Sequence, residues 1–166
     1  LGMPDAVLSI AIESSGLNST GKDKVEFLFS ANKGRKPEAL GKVASGGEFS
    51  RLMFVLKFLQ TDKSQLPTVI FDEIDTGISG EIALKMAEMM RSMSENHQIM
   101  TITHLPQMAG YGDHHYYVFK DRSGEVTNSQ IRLLDHSERV TKIAEMISGE
   151  NPTASALKSA QELIQV

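Results

Sequence analysis

Val69-Ile70-Phe71-Asp72-Glu73 is the stretch on which the fold turns. Thr68 to Phe71 is short, apolar and rich in β-branched residues, the mark of a strand buried on both faces in a parallel sheet, with Pro67 tolerable at its entry. Such a strand delivers Asp72 and Glu73 as adjacent carboxylates to its carboxyl end, where an open α/β sheet keeps its ligand crevice. Asp72 could hold a divalent cation, directly or through water, and Glu73 could orient or deprotonate an attacking water. A pair of solvated acids at a strand end is the plain alternative.

Working backward, Ser45-Gly46-Gly47-Glu48 lies 24 residues ahead of Asp72, counted from Glu48. A helix over about Glu48 to Gln60 follows from the helical spacing of Phe49, Leu52, Met53, Leu56 and Leu59. Glycines just ahead of it let the backbone approach a ligand, and the unpaired N–H groups and dipole of the helix start favour an anion such as phosphate. An ordinary Ser/Gly helix start is the competing reading. Working forward, Gln98 to Thr103 reads as a second buried strand, so that His104 sits at a strand end. There it is a candidate contact for a terminal phosphate or for the water attacking it, against the alternative of a hydrogen-bonded structural histidine.

The remaining elements fill in an α/β chain. Ala6 to Glu13 and Lys24 to Ala31 alternate as half-buried strands, and the turn signals Gly16, Asn18 and Gly21 make them an antiparallel hairpin. Lys33 to Lys42 is rich in Gly, Lys, Arg and Pro and reads as a loop. A helix is expected over about Gly80 to Ser94 with Ser79 as its N-cap. Tyr116 to Phe119 and Gln130 to Leu134 are expected edge strands around the Ser123-Gly124 turn, and helices over about Ser137 to Ile147 and Thr153 to Ile164 close the chain. Strands alternating with helices give an α/β sheet.

Several tempting features carry less. Gly16 to Lys22 reads G-L-N-S-T-G-K, like a phosphate-binding P-loop, but Asp23 stands where a Ser or Thr hydroxyl would bind Mg²⁺, and the stretch sits in a hairpin rather than before a helix. The chain therefore has no credible P-loop of its own. Met86, Met89, Met90 and Met93 line one helical face, read as core with partner docking as the alternative. Lys33, Arg35, Lys36 and Lys42 form a basic cluster, read as a solvated loop rather than a DNA contact. His114 and His115 lack metal-ligand spacing, and no G-x-S-x-G is present.

Bulk properties set the frame. The 166 residues, 40% hydrophobic, are enough for one domain, residues 1–166, with a real core. A net charge of -4 and a pI near 5.7 argue against broad electrostatic capture of DNA. The absence of cysteine excludes disulfides and thiolate zinc sites and suits a reducing cytosol. No apolar run approaches a membrane span and no signal peptide is visible, so a soluble intracellular protein is expected. The chain begins at Leu1 rather than at a methionine, so it is expected to be cut from something longer.

Lys42-Val43-Ala44-Ser45-Gly46-Gly47-Glu48-Phe49-Ser50-Arg51-Leu52 resembles the signature motif of ABC-type ATPases, in the form used by SMC-like DNA-repair proteins. Phe71-Asp72-Glu73-Ile74-Asp75-Thr76-Gly77-Ile78-Ser79-Gly80 is similar to their Walker B and D-loop, and Thr103-His104-Leu105-Pro106-Gln107-Met108-Ala109-Gly110 to their switch histidine. The resemblance covers nearly the whole chain and implies the C-terminal half of a P-loop NTPase head: a mostly parallel sheet with flanking helices and an N-terminal hairpin. In that family two heads sandwich ATP. The resemblance implies that Ser45, Gly46, Gly47 and Glu48 face the ATP of a partner head and that Asp75 lines that interface. It further implies that Asp72 serves Mg²⁺, Glu73 is the catalytic base, and His104 senses the γ-phosphate. Implied partners are a second head across ATP, the N-terminal half of the same head, and DNA through the complete protein, in double-strand-break repair at the nucleoid. Glu48 stands where transporters commonly carry Gln, which favours the SMC-like branch, and the P-loop, Q-loop and coiled-coil arm are absent. An isolated chain is then expected to be inactive. Two other readings remain open at this point: an interaction module docking a partner at an exposed sheet edge, and a transport ATPase subunit.

Overall fold

A computed structural model describes residues 1–42, 46–64, 66–121 and 127–164. The expected N-terminal antiparallel hairpin forms and runs longer, with β1 at Val7–Asn18 and β2 at Gly21–Ser30, but Leu8, Ile10, Ile12, Val25 and Phe27 are exposed, which corrects the expected half-burial. Its register holds from Val7 opposite Ser30 to Ser14 opposite Asp23, shifts, and closes with Asn18 opposite Gly21. Gly16 to Lys22 is thus the hairpin tip. Asn18 Oδ1 accepts from the Thr20 N–H at 2.8 Å, and Gly21 takes a φ of 123° that favours glycine. The basic stretch expected to be a loop instead contributes a short strand, β3 at Glu38–Ala39, pairing with β2, and a 3₁₀ turn at Leu40–Lys42. Lys33, Arg35, Lys36 and Lys42 are all exposed.

The centre of the molecule is α1 (Gly46–Ser64), β4 (Thr68–Asp72), α2 (Gly80–Ser94) and β5 (Gln98–Ile102). The expected parallel sheet is present as the β4–β5 pair, in register from Thr68 opposite Gln98 to Asp72 opposite Ile102. Only one face of that pair is covered. Val69 and Phe71 are buried against the helices while Ile70 and Ile102 remain 62% and 55% exposed, so the expected burial of β4 on both faces is corrected. The core cluster joins Phe54 of α1, Phe71 of β4, and Met86, Met90 and Met93 of α2, with the Phe54 and Phe71 rings 5.3 Å apart. The methionine stripe is core, as its spacing requires.

Helix α1 is apolar on two sides, and the expected stripe packs only in part, with Leu52 buried and Met53 half-buried. Phe54 and Thr61 are fully buried, with Phe58 packed beside them, whereas Phe49, Leu56 and Leu59 of the anticipated stripe are exposed. Ser79 occupies the N-cap of α2 but makes no side-chain capping bond.

Beyond β5, α3 (Pro106–Tyr111) leads to the β6–β7 hairpin (Tyr116–Asp121 and Asn128–Leu133), then α4 (His136–Ser148) and α5 (Ala154–Ile164). The hairpin pairs antiparallel from Tyr116 opposite Leu133 to Asp121 opposite Asn128 and is separate from the β4–β5 sheet; the expected Ser123-Gly124 turn lies outside the described residues. Asp135 caps α4 in a reciprocal box with Glu138. The Glu138 N–H and the Ser137 hydroxyl, bonded to the Asp135 carboxylate, hold it below the usual carboxylate range. α4 and α5 close a second core around Ile143, Ala144 and Ala160. Arg139 ties α4 to the end of α3, donating to the carbonyls of Gly110 (2.7 Å) and Gly112. A Cβ on Gly110 would lie 2.7 Å from the Leu163 carbonyl oxygen, so glycine there lets α3 and α5 touch.

Candidate functional site

Asp72, the last residue of β4, and Ile102, the last of β5, are opposite each other in the parallel ladder. The expected acids and His104 therefore leave the sheet at one shared carboxyl edge. Glu73 extends the ladder by one bond, its N–H donating to the Ile102 carbonyl at 3.0 Å, and then turns sharply with a φ of 48°. A non-glycine residue in the left-handed region is uncommon and persists where its surroundings hold it. Here the Glu73 carbonyl accepts both the Thr76 N–H (3.2 Å) and the Thr76 hydroxyl (3.0 Å). Asp72 and Glu73 are both exposed.

The turn that follows carries Asp75 inward. Its side chain is fully buried, so in place of the expected interface position the carboxylate faces Thr103 and His104. Oδ2 accepts from the Thr103 hydroxyl and from the His104 backbone N–H at 3.1 Å, and it lies 3.3 Å from His104 Nδ1. Thr103 Oγ1 in turn accepts from the Leu105 N–H at 3.0 Å. The His104 side chain itself is 64% exposed. A buried carboxylate thus anchors the backbone from which an accessible imidazole projects.

The two glycines divide their work. A Cβ on Gly47 would lie 2.5 Å from the Gly77 carbonyl oxygen, and Gly77, at a φ of 74°, has the Gly47 nitrogen 3.0 Å from where its own Cβ would be. Backbone against backbone, the start of α1 packs on the loop after Glu73. Gly46 is exposed with nothing within 4 Å of its Cβ position, while Gly47 is buried in packing. Ser45 lies outside the described residues. Glu48 is in the first turn of α1.

One loop therefore links the described parts of the site: it begins at Glu73, pins His104 through Asp75, and touches the start of α1 through Gly77. Sequence reasoning missed Thr103 and Gly77 as members. A Thr-Gly pair four residues after a strand was the available turn signal. Away from this edge, burial and the Arg139 charge push His115 below the usual histidine range.

The chain matches DNA repair proteins RecN along its length. It is 40% identical over 166 residues to RecN of Rickettsia conorii, 37% identical over 166 residues to RecN of Vibrio cholerae, and 44% identical over 145 residues to RecN of Treponema pallidum. These alignments cover 100%, 99% and 87% of this chain and 30%, 30% and 25% of those proteins, so the chain spans about a third or less of its relatives. No protein-family profile matches the chain. Among solved structures, it resembles an SMC head domain with a coiled coil and joint from Pyrococcus yayanosii, with a TM-score of 0.66 and 20% identity, over 88% of this chain and 27% of that one. It also resembles a chain from work on ATP-driven dimerisation and DNA-stimulated activation of SMC ATPases, with a TM-score of 0.58 and 23% identity, over 84% and 81% of the two chains.

Proposed function

We propose, for a chain related over its whole length to the C-terminal part of RecN and folded like an SMC ATPase head, that it supplies one wall of an ATP-hydrolysing site in DNA double-strand-break repair. The observation that carries this reading is the shared edge at which Asp72, Glu73 and His104 leave the parallel strands, linked by one loop to the start of α1. Gly46, with Ser45 before it and Glu48 after it, faces the γ-phosphate of ATP held by a second head, and buried Gly47 sets the helix at that angle. The N–H groups of the helix start favour the anion.

Asp72 holds Mg²⁺. An exposed strand-end carboxylate suits this ion, which is bound through one or two carboxylates together with substrate phosphates rather than in an all-protein cage. That choice agrees with the absence, among the described residues, of any cluster of three or more acids and histidines able to hold a metal alone. When bound, the ion neutralises charge on the phosphates. Glu73 takes the proton of a water whose oxygen forms a bond to the γ-phosphorus as the bond to the β-γ bridging oxygen breaks, releasing ADP and phosphate. His104 contacts the γ-phosphate within its own head.

The chain's exposed apolar surfaces support a missing neighbour. Ile70, Met100 and Ile102 on β4–β5, Ile10, Ile12, Val25 and Phe27 on the hairpin, and Phe49, Leu56 and Leu59 on α1 are all exposed. Such area on one small domain marks an interaction surface. Its occupant is the N-terminal half of the same head, which brings the P-loop. DNA is engaged through the complete protein in the cytoplasm, at the nucleoid; no described helix is long and apolar enough to cross a membrane.

The test is turnover. This chain alone is expected to hydrolyse ATP no faster than buffer, and co-expression with the P-loop segment of its natural protein is expected to restore Mg²⁺-dependent phosphate release. Turnover by the chain alone that is lost on Glu73→Gln would contradict the proposal.

A further inference from the structure

The geometry points to Asp75 as a positioning residue that sets which nitrogen of His104 carries the proton and therefore whether the other nitrogen donates or accepts a hydrogen bond. Asp75 follows the acids by a short turn and has no exposed surface, yet its Oδ2 collects three groups from the end of β5. These are the Thr103 hydroxyl, the His104 backbone N–H at 3.1 Å, and His104 Nδ1 at 3.3 Å. The His104 backbone N–H can only donate, so Oδ2 is an acceptor at this site. A neutral imidazole has one N–H and one lone pair. With the proton on Nε2, a bare Nδ1 would sit 3.3 Å from a carboxylate oxygen, an unfavourable contact between two electron-rich atoms. With the proton on Nδ1 the same contact becomes attractive. A buried carboxylate beside one ring nitrogen is how tautomer and ring orientation are held in other histidine sites.

The consequence lies on the opposite side of the ring. Nε2 is the other ring nitrogen of a side chain that is 64% exposed. In the neutral ring it is an acceptor, able to take a hydrogen bond from the water approaching the γ-phosphorus. Asp75, with no exposed surface, acts through His104. Among the described residues, the hydrogen bonds to the Asp75 carboxylate fall on Oδ2. The inference deepens the ATPase reading and rests on it for the role of Nε2, while the tautomer itself can be read without nucleotide.

Two measurements separate these layers. In the first, this chain is labelled with ¹⁵N-histidine and its two-bond ¹H–¹⁵N correlations are recorded at a pH where the ring is neutral, with His104→Gln identifying the His104 signals. The expected pattern is Nδ1–H with Nε2 unprotonated, shifting toward Nε2–H in Asp75→Asn, whose side-chain amide no longer brings a negative oxygen to Nδ1. A wild-type His104 with its proton on Nε2 overturns the inference whether or not any variant folds, and so does a pattern unmoved by Asp75→Asn. In the second, the assembled ATPase carrying Asp75→Asn is expected to lose on the order of tenfold or more in kcat, at the low end of what a proton-handling group supplies, with KM for ATP nearly unchanged. An unchanged kcat overturns the positioning role. Correct tautomers with no ATPase in any assembly would instead reject the ATPase reading and leave the Asp75–His104 pairing standing.

Discussion

Glu73→Gln in the assembled head is expected to lower kcat by roughly 10²- to 10⁴-fold, the usual contribution of a positioned general base, while leaving the fold intact. The amide has the shape of the carboxylate but cannot take a proton from water. The unusual φ of 48° belongs to the backbone and is held by the Ile102 carbonyl and by Thr76, none of which touches the carboxylate. An exposed side chain changed to its isostere moves stability by no more than about 0.5 kcal/mol. Steady-state phosphate release and a thermal melt, measured on the same preparation, check both halves. A kcat within a few-fold of the parent would remove Glu73 from the chemistry, and a collapsed melt would make it a structural residue.

The second large effect falls on stability. Gly47→Ala places a methyl carbon 2.5 Å from the Gly77 carbonyl oxygen, backbone that cannot swing aside as a side chain would. Either α1 lifts from the loop or the loop moves, at a cost of about 1–3 kcal/mol by analogy with overpacked cores. Gly46→Ala, one residue earlier and open on all sides, is the control. It removes backbone freedom from the unfolded chain and is expected to be neutral to mildly stabilising, by about 0.4–1 kcal/mol. Urea unfolding midpoints for the two variants, compared at equal slope, give the answer. Equal midpoints would show that the contact between α1 and the loop is not formed in solution. Because that loop also carries Asp75, Gly47→Ala is expected to disturb His104 as well, although the two residues are far apart in the chain.

Much of this architecture was legible from residue order alone. The period-two alternation of Val7 to Glu13 and Val25 to Phe29, the apolar run ending at Asp72, and the methionine spacing of α2 each gave the right element, because each periodicity has one geometric solution. The edge carrying Asp72, Glu73 and His104 followed from two strands ending in polar residues. Burial was less legible. Hydrophobicity reports what a residue needs, and Ile70, Phe49, Leu56 and Leu59 need cover that this chain does not provide. On α1, two apolar stripes compete, and only tertiary packing decides that Phe54 rather than Leu56 meets Phe71. Asp75 was given an interface position by the resemblance, and only the fold brings the Thr103 hydroxyl and the His104 N–H to it from a strand end 28 residues later in the chain. The left-handed turn at Glu73 had no glycine to announce it.

The central claim is that these residues form part of a nucleotide site whose remainder is contributed by other segments, and calorimetric titration of MgATP tests it most directly. Titrated into this chain alone, MgATP is expected to give no saturable heat. Titrated into the chain assembled with the P-loop half of its natural protein, it is expected to give a saturable isotherm. Tight one-to-one binding to the 166-residue chain by itself, with nucleotide contacts mapped to Asp72, Glu73 and His104 of the same copy, would contradict the account.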